Sequence, residues 1–124
     1  MRILITGSNG MLGSSLVKSL ENLHDVYSTD LGVSLSNEVN YLNFNLERDD
    51  FNELIKWSKP DLIIHCAAIT DGNFCQKNPI QAFNVNGLSM QKILDSTESK
   101  VKIIYISTDA VFSSLSINAC EDDF

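Results

Sequence analysis

The chain has 124 residues, of which 44% are hydrophobic and 20% are charged, and its net charge is −7 at pH 7. This length predicts a single domain over residues 1–124, and no stretch approaches the run of about 18 apolar residues that a membrane span needs. The few basic residues form no patch, so we expect no nucleic-acid partner. The N-terminus enters an apolar strand pattern at once, without the features of an export signal. We therefore expect a cytoplasmic protein.

The three cysteines are Cys66, Cys75 and Cys120, an odd number that matches no metal-ligand spacing. This usage fits free thiols in a reducing compartment. We predict no metal site, and we expect Cys66, which lies in a strand pattern, to pack as a small apolar residue.

The first predicted element is an apolar strand from Arg2 to Thr6, followed by glycines spaced three apart. Gly7 would turn the chain sharply out of the strand, Gly10 would admit phosphates and Gly13 would let a helix pack closely on the sheet. The expected helix has an apolar stripe three or four residues apart, which is formed by Leu12, Leu16, Leu20 and Leu23. This strand, turn and helix predict a cradle for the pyrophosphate of a dinucleotide.

A second strand, Asp25 to Thr29, is followed by Asp30, which lies 20 residues beyond Gly10. A carboxylate in this place accepts hydrogen bonds from the adenosine ribose in dinucleotide sites, although a solvated loop acid is the alternative. Since the carboxylate would repel a 2′-phosphate, it favours NAD over NADP.

Three further strands and two helices follow in alternation. The predicted third, fourth and fifth strands are Asn40–Phe44, Asp61–Cys66 and Val101–Ser107. Asp49 or Asp50 is expected to cap a helix that Pro60 ends. Asn78 and Pro79 begin a long helix, with Phe83, Gly87, Met90 and Leu94 predicted on one stripe.

Alternation of strands and helices predicts an α/β fold of the Rossmann type, a doubly wound parallel sheet of about five strands. The expected strand order is 3-2-1-4-5, with the ligand crevice between strands 1 and 4. Every loop with candidate functional residues would then lie at the carboxyl edge of the sheet.

Four separate motifs, spread over the chain, resemble the extended short-chain dehydrogenases/reductases. They are Thr6-Gly7-x-x-Gly10-x-x-Gly13, the segment Pro60–Ala68, the segment Cys75–Asn86 and the segment Ser107–Phe112. Ser107-Thr108-Asp109 is similar to the branch that contains dTDP-4-dehydrorhamnose reductase. Epimerases and dehydratases of the superfamily usually carry Ser-Ser and Val-Tyr-Gly there.

The resemblance implies hydride transfer from NADH or NADPH to the keto group of a nucleotide-linked deoxysugar. It implies that Thr108 contacts the substrate carbonyl, beside a tyrosine that donates the proton and a lysine four residues later that lowers its pKa. The implied cofactor contacts are Gly7, Ser8, Asn9, Gly10, Met11, Leu12, Gly13, Asp30, Asn45, Leu46, Cys66, Ala67, Ala68, Asn86 and Ser107.

The tyrosine and lysine pair of the family has no counterpart in these 124 residues. Four residues beyond Tyr27, Tyr41 and Tyr105 stand Leu31, Asn45 and Asp109, and no lysine follows Lys102. We therefore expect the NAD(P)-binding portion of such a reductase, truncated before the later strands and the sugar-binding lobe and inactive alone. A nucleotide sugar would be a substrate only with a further C-terminal part.

Several residues have a second interpretation. Asn45 could meet the adenine edge or cap a local turn, and His65 is more often a hydrogen-bonded core residue than a ligand. Asn86 is expected to bond loop backbone, and Ala67 and Ala68 to matter for being small. Glu121, Asp122 and Asp123 fit a solvated acidic tail.

Two other functions fit the same residues. The first is a non-catalytic NAD(P)-binding regulatory module or one half of a split protein, as in the regulatory subunit of methionine adenosyltransferase, which resembles these reductases. The second is a fragment of an NAD-dependent sugar epimerase or dehydratase. In every case the fifth strand would be a sheet edge, with Ile103, Ile104 and Ile106 uncovered, and we expect the chain to be marginally stable or to self-associate there.

Overall fold

The computed structural model describes residues 1–34 and 40–108. They contain one five-stranded parallel sheet in the order β3-β2-β1-β4-β5, as the sequence predicts. The strands are β1 Arg2–Thr6, β2 Asp25–Asp30, β3 Tyr41–Asn43, β4 Leu62–His65 and β5 Lys102–Tyr105. The helices are α1 Met11–Leu20, α2 Phe51–Ser58, α3 Gly72–Lys77, α4 Pro79–Phe83 and α5 Ser89–Ser96, with a π-helical turn at Asn84–Leu88 between α4 and α5.

The sheet has a buried apolar cluster on each face, because alternate residues of a strand point to opposite sides. On one face, Leu4 and Ile63 pack with Phe51, Leu54 and Ile93 from α2 and α5. On the other face, residues of β1 and β4 pack with α1, and the buried members of this cluster are Ile3, Ile5, Val17 and Ile64. The central strands are thus covered on both sides, which explains their almost wholly apolar sequence.

The predicted stripe of α1 is partly wrong. Leu12 is 43% exposed and Leu23 is 74% exposed, whereas Gly13 and Val17 form the buried centre of the helix face. The reason is the close approach of Gly13 to the turn at residues 7–10, the glycine turn. This contact fixes the rotation of the helix about its axis and brings Val17 onto the sheet. Leu16 and Leu20 pack at the border of that face.

Helix α2 begins and ends as predicted. Asp50, and not Asp49, is the N-cap, and its carboxylate accepts a hydrogen bond from the Asn52 N–H. Lys59 closes the helix with a left-handed φ of 43°, directly before Pro60, which cannot continue it.

The long helix after Pro79 has a different buried face from the predicted one. Phe83, Gly87 and Leu94 are exposed, while Ser89 and Ile93 are buried. The π-helical turn at Asn84–Leu88 contributes to this difference, because its wider winding rotates the following residues relative to a regular helix.

Strand β5 pairs with β4 alone among the described strands. Ile104 is 48% exposed and Ile106 is 39% exposed, as predicted, but Ile103 packs against the cluster that contains Ile63 and Ile93. The predictions for Asp109, Cys120 and the acidic run at 121–123 lie outside the described residues.

Candidate functional site

A cleft of about 500 Å³ opens at the carboxyl edge of the sheet and is lined by residues at the ends of β1 and β2 and just beyond β3 and β4. Nine of the residues predicted from the sequence line it. They are Gly7, Asn9, Gly10, Asp30, Asn45, Leu46, Cys66, Ala67 and Ala68.

The glycine turn is wedged between α1 and β4. Gly7 has a positive φ of 71°, and a Cβ on it would lie 2.7 Å from both the N and the Cα of Ala67. A Cβ on Gly13 would lie 2.1 Å from the carbonyl oxygen of Gly7. Only glycine is compatible with either contact, so both glycines are required for the backbone itself.

Gly10 has a different environment. A Cβ on it would meet only the carbonyl oxygen of Gly7, at 3.1 Å, so its free side faces the cleft. Gly10 is also the N-cap of α1, and it has no side chain that could accept hydrogen bonds from the first turn of this helix. The N–H groups of that turn, which begins at Met11 and Leu12, are therefore oriented for an anion in the cleft.

Asp30 joins the end of β2 to the glycine turn. One carboxylate oxygen accepts from the Asn9 N–H at 2.8 Å, and the other accepts from the Leu31 N–H at 2.7 Å. The Asn9 side chain donates in turn to the carbonyl oxygen of Val33 at 3.1 Å. Asp30 is thus a structural element of the cleft wall, an arrangement that neither of its two sequence interpretations included.

The wall opposite Asp30 is the turn between β3 and α2. The Asn45 side-chain oxygen accepts from the Glu47 N–H at 2.9 Å, and Asp49 accepts from the Asn45 N–H. Asn45 therefore caps its own turn and also lines the cleft. The Lys92 ammonium donates to the carbonyl oxygens of Leu46 and Glu47 at 3.3 Å and 3.2 Å, and this contact holds the wall against α5.

The floor of the cleft is the turn after β4. Ala67 and Ala68 line it. Cys66 packs toward the α1 face, and burial raises the pKa of its thiol, so this thiol is protonated at neutral pH. Asn86 braces the same turn, since its amide accepts from the Ile69 N–H at 2.7 Å and donates to the Ile69 carbonyl at 2.9 Å.

His65 lies beneath this floor and is 1% exposed. Its Nδ1 is 2.6 Å from the Thr6 hydroxyl and its Nε2 is 3.1 Å from the Ser89 hydroxyl. Burial lowers its pKa from 6.5 to about 4, so the ring is neutral at pH 7. The interpretation of His65 as a hydrogen-bonded core residue is confirmed.

The remaining predicted site residues do not line the cleft. Ser8, in the glycine turn, and Gly13, in the first turn of α1, are buried. Met11 is 91% exposed. The others outside the lining are Leu12, Asn86, Ser107 and Thr108.

Sequence reasoning missed several residues that do line the cleft. Thr6 ends β1, Thr29 lies one residue before the end of β2 and Phe44 directly follows β3. Position at a strand's carboxyl end is a signal that could have identified them. Leu31, Glu47, Arg48 and Ile69 follow predicted residues in the same loops, and Gln81 and Val85 reach the cleft from α4 and the π-helical turn.

Comparison with known protein families gives a match over residues 1–123 to the family described as RmlD substrate binding domain. This match covers nearly the whole chain. The chain belongs to the RmlD family. The resemblance seen in the sequence motifs is thereby confirmed.

Relatives of this RmlD-family chain include several biosynthetic proteins. It is 34% identical over 122 residues to a probable low-salt glycan biosynthesis reductase of Haloferax volcanii, covering 90% of this chain and 38% of that protein. It is 30% identical over 126 residues to dTDP-4-dehydrorhamnose reductase of Sinorhizobium fredii, covering 99% and 39%. It is also 30% identical over 112 residues to the methionine adenosyltransferase 2 subunit beta of Danio rerio, covering 90% and 34%. The chain therefore spans less than half of the length of each.

Two solved structures show the same fold. A hypothetical dTDP-4-dehydrorhamnose reductase from Sulfolobus tokodaii superposes with a TM-score of 0.86 at 31% identity, covering all of this chain and 45% of that one. A dTDP-4-dehydrorhamnose reductase from Bacillus anthracis in complex with NADP superposes with a TM-score of 0.71 at 28% identity, covering 90% and 37%.

No helix in residues 1–34 and 40–108 is both long and apolar enough to cross a membrane. The same ranges hold no group of three or more His, Cys, Asp or Glu side chains arranged for a metal ion.

Proposed function

We propose that this chain is the dinucleotide-binding portion, residues 1–124, of a reductase that acts on a nucleotide-linked deoxysugar. The observation that carries the proposal is the convergence of the glycine turn, the uncapped start of α1 and Asp30 on one cleft. Membership of the RmlD family supports the substrate class, and the Bacillus anthracis relative binds NADP.

The cleft residues fit a nicotinamide dinucleotide. Gly10 leaves room beside the first turn of α1 for a pyrophosphate, and this turn offers N–H groups to its charge. Asp30, Asn45 and Leu46 would hold the adenosine end. The small residues Ala67 and Ala68 would leave space for the nicotinamide ribose. When bound, the reduced cofactor supplies a hydride to a carbonyl carbon.

We further propose that NAD binds more tightly than NADP. Both oxygens of Asp30 accept from backbone N–H groups, and no cation pairs with the carboxylate among the described residues. Its negative charge would therefore repel a 2′-phosphate. Among the described residues that line the cleft, Arg48 is the only cationic side chain, and it would moderate the repulsion enough for NADP to bind.

Calorimetric titration with NADH and NADPH tests the site and its preference. Asp30→Asn keeps one oxygen for the backbone and removes the charge, so we expect the ratio of the two dissociation constants to move about tenfold toward NADPH. Gly10→Val, which places a side chain in the cleft, should weaken both cofactors. Absence of binding by the unaltered chain, or an unchanged ratio in Asp30→Asn, would contradict the proposal.

In the family that the motifs resemble, a tyrosine followed four residues later by a lysine supplies the proton, and these 124 residues contain no such pair. Thr108 could orient a carbonyl but could not protonate it at neutral pH, because an unperturbed hydroxyl of this kind is not an acid in that range. We propose that the chain alone binds cofactor without turnover. Oxidation of NADH by the purified chain with dTDP-4-dehydrorhamnose would refute this.

A second candidate function is a regulatory subunit, and the likeness to the methionine adenosyltransferase subunit favours it. In this case the cleft would bind a dinucleotide while a neighbouring surface holds a partner enzyme. Recovery of a single partner chain in stoichiometric amount with the tagged protein, under mild conditions, would favour this role over the reductase.

We also propose self-association through β5 and a cytoplasmic location. The free edge of β5 would pair with a second copy of the chain, because it has no neighbouring strand among the described residues. Ile104 and Ile106 on this strand and just beyond it are exposed. A cytoplasmic location fits the free thiols of Cys66 and Cys75.

A further inference from the structure

Three side chains form a row across the central strands, directly below the cleft floor. Thr6 on β1 pairs in register with His65 on β4, and His65 pairs with Tyr105 on β5. All three therefore project from the same face of the sheet. The His65 and Tyr105 rings are stacked, with centroids 5.7 Å apart and planes at 20°.

The hydrogen bonds of this row determine where each proton lies. The Ser89 hydroxyl is 2.5 Å from the carbonyl oxygen of Val85, and because a carbonyl has no proton, the serine must donate to it. Ser89 then accepts from His65, so the proton of the imidazole is on Nε2. The Nδ1 atom has no proton and accepts from the Thr6 hydroxyl. Thr6 accepts in turn from the Ala67 N–H at 3.4 Å.

The result is a hydrogen-bond relay in which every bond runs in one direction. It leads from the Ala67 N–H through Thr6, His65 and Ser89 to the Val85 carbonyl. We infer that His65, as the neutral Nε2-protonated tautomer, is a positioning residue. Through its bonds to Ser89 of α5 and Thr6 of β1, it fixes the position of the cleft floor relative to α5. Its role is to fix which groups donate and which accept, and it touches neither cofactor nor substrate.

Both ends of this relay lie at the cleft, and its middle does not. Thr6, Ala67 and Val85 line the cleft, whereas His65 and Ser89 lie outside the lining. Since the hydroxyl proton of Thr6 is donated to His65, the Thr6 oxygen has only lone pairs left, and one of them accepts from the Ala67 N–H. Reversal of the relay would place a proton on Nδ1, and the Thr6 hydroxyl proton would then have to point away from the ring.

A second contact ties the same helical segment to the floor. The Tyr105 hydroxyl donates to the carbonyl oxygen of Asn86 at 2.8 Å, and the Asn86 side chain holds both backbone groups of Ile69. The π-helical turn thus presents two carbonyls, those of Val85 and Asn86, to side-chain hydroxyls. A displacement of this turn would therefore move the cleft floor at both Ala67 and Ile69.

Nitrogen NMR of the labelled 124-residue chain tests the relay directly. At pH 7 we expect the His65 Nε2 to be protonated and Nδ1 to be unprotonated, with exchange of the Nε2 proton slowed by burial. In Ser89→Ala the acceptor for Nε2–H is lost, so the amide signal of Ala67, at the far end of the relay, should shift. Ser96→Ala on the same helix is the matched control and should leave that signal in place.

The effect on affinity rests on the proposed function and is measured separately. We expect Ser89→Ala to weaken NADH binding roughly fivefold, as for the loss of about one net hydrogen bond, and Ser96→Ala to leave it unchanged. A proton on Nδ1 in the unaltered chain, or an Ala67 signal that Ser89→Ala does not move, would overturn the relay. If Ser89→Ala does not fold, the tautomer in the unaltered chain decides the question.

The two proposals can fail independently. An unaltered chain with the expected tautomer that binds neither NADH nor NADPH refutes the cofactor site and leaves the relay standing. A chain that binds NADH equally well with and without the Ser89 hydroxyl refutes the positioning role and leaves the cofactor site standing.

Discussion

Replacement of Gly13 by alanine should destabilise the fold through one backbone contact. The added Cβ would lie 2.1 Å from the oxygen and 2.8 Å from the carbon of the Gly7 carbonyl, and 2.9 Å from the Cα of Ser8. To restore ordinary contact, α1 and the glycine turn must separate by about 1 Å. The turn cannot retreat, because Gly7 already lies against the backbone of Ala67.

Helix α1 would therefore move, and it would carry the buried Val17 away from the sheet. Overpacking of this severity costs about 3 kcal/mol, and the better helix propensity of alanine offsets about 1 kcal/mol. We expect the free energy of unfolding of Gly13→Ala to fall by about 2 kcal/mol, which corresponds to a decrease of about 1 M in the urea midpoint.

Urea unfolding followed by circular dichroism measures this change, and Gly72→Ala provides the matched control. A Cβ on Gly72 meets nothing within 4 Å, so its midpoint should stay within about 0.3 M of that of the unaltered chain. Equal midpoints for Gly13→Ala and Gly72→Ala would show that α1 adjusts freely, and the steric reasoning would be wrong.

Three other predictions follow from contacts described above. Asp50→Ala removes the N-cap of α2 and should lower the free energy of unfolding by about 1 kcal/mol, whereas Asp50→Ser should retain most of it; equal loss in both would exclude capping as the cause. The pKa of His65 is lowered from 6.5 to about 4 in the folded chain, so the unfolded chain binds an extra proton between these values. Stability should therefore be complete above pH 6.5 and should fall by about 2 kcal/mol between pH 7 and pH 5. A flat urea midpoint over this range would contradict the burial of a neutral ring. Ile104→Lys, on the exposed side of β5, should reduce self-association in multi-angle light scattering, and a monodisperse monomer of the unaltered chain would contradict the proposed pairing.

The sheet and its order could be predicted because their signals are local. Apolar runs of strand length alternate with helical patterns, and the spacing of Gly7, Gly10 and Gly13 requires a particular turn. Asp30 could be placed at the cleft for the same reason. Its bond to Asn9 could not be predicted, because it depends on how two loops meet in space.

The helix faces show where local patterns fail. Leu12 and Leu23 have helical spacing, yet a backbone contact at Gly13 determines which side of α1 is buried. The π-helical turn before Ser89 likewise has no sequence signal that we could use. The relay through His65 depends on register between strands far apart in the chain, which periodicity does not encode.

The position of β1 at the centre of the sheet has a consequence for the order of folding. The bond between Asn9 and Asp30 closes a separation of 21 residues, whereas the bond between Thr6 and His65 closes one of 59. Pairing over the longer separation has the larger loop-closure entropy and forms slowly. The cleft acquires its second wall only when β4 joins β1. A dinucleotide added during refolding should therefore leave the folding rate unchanged and slow unfolding instead.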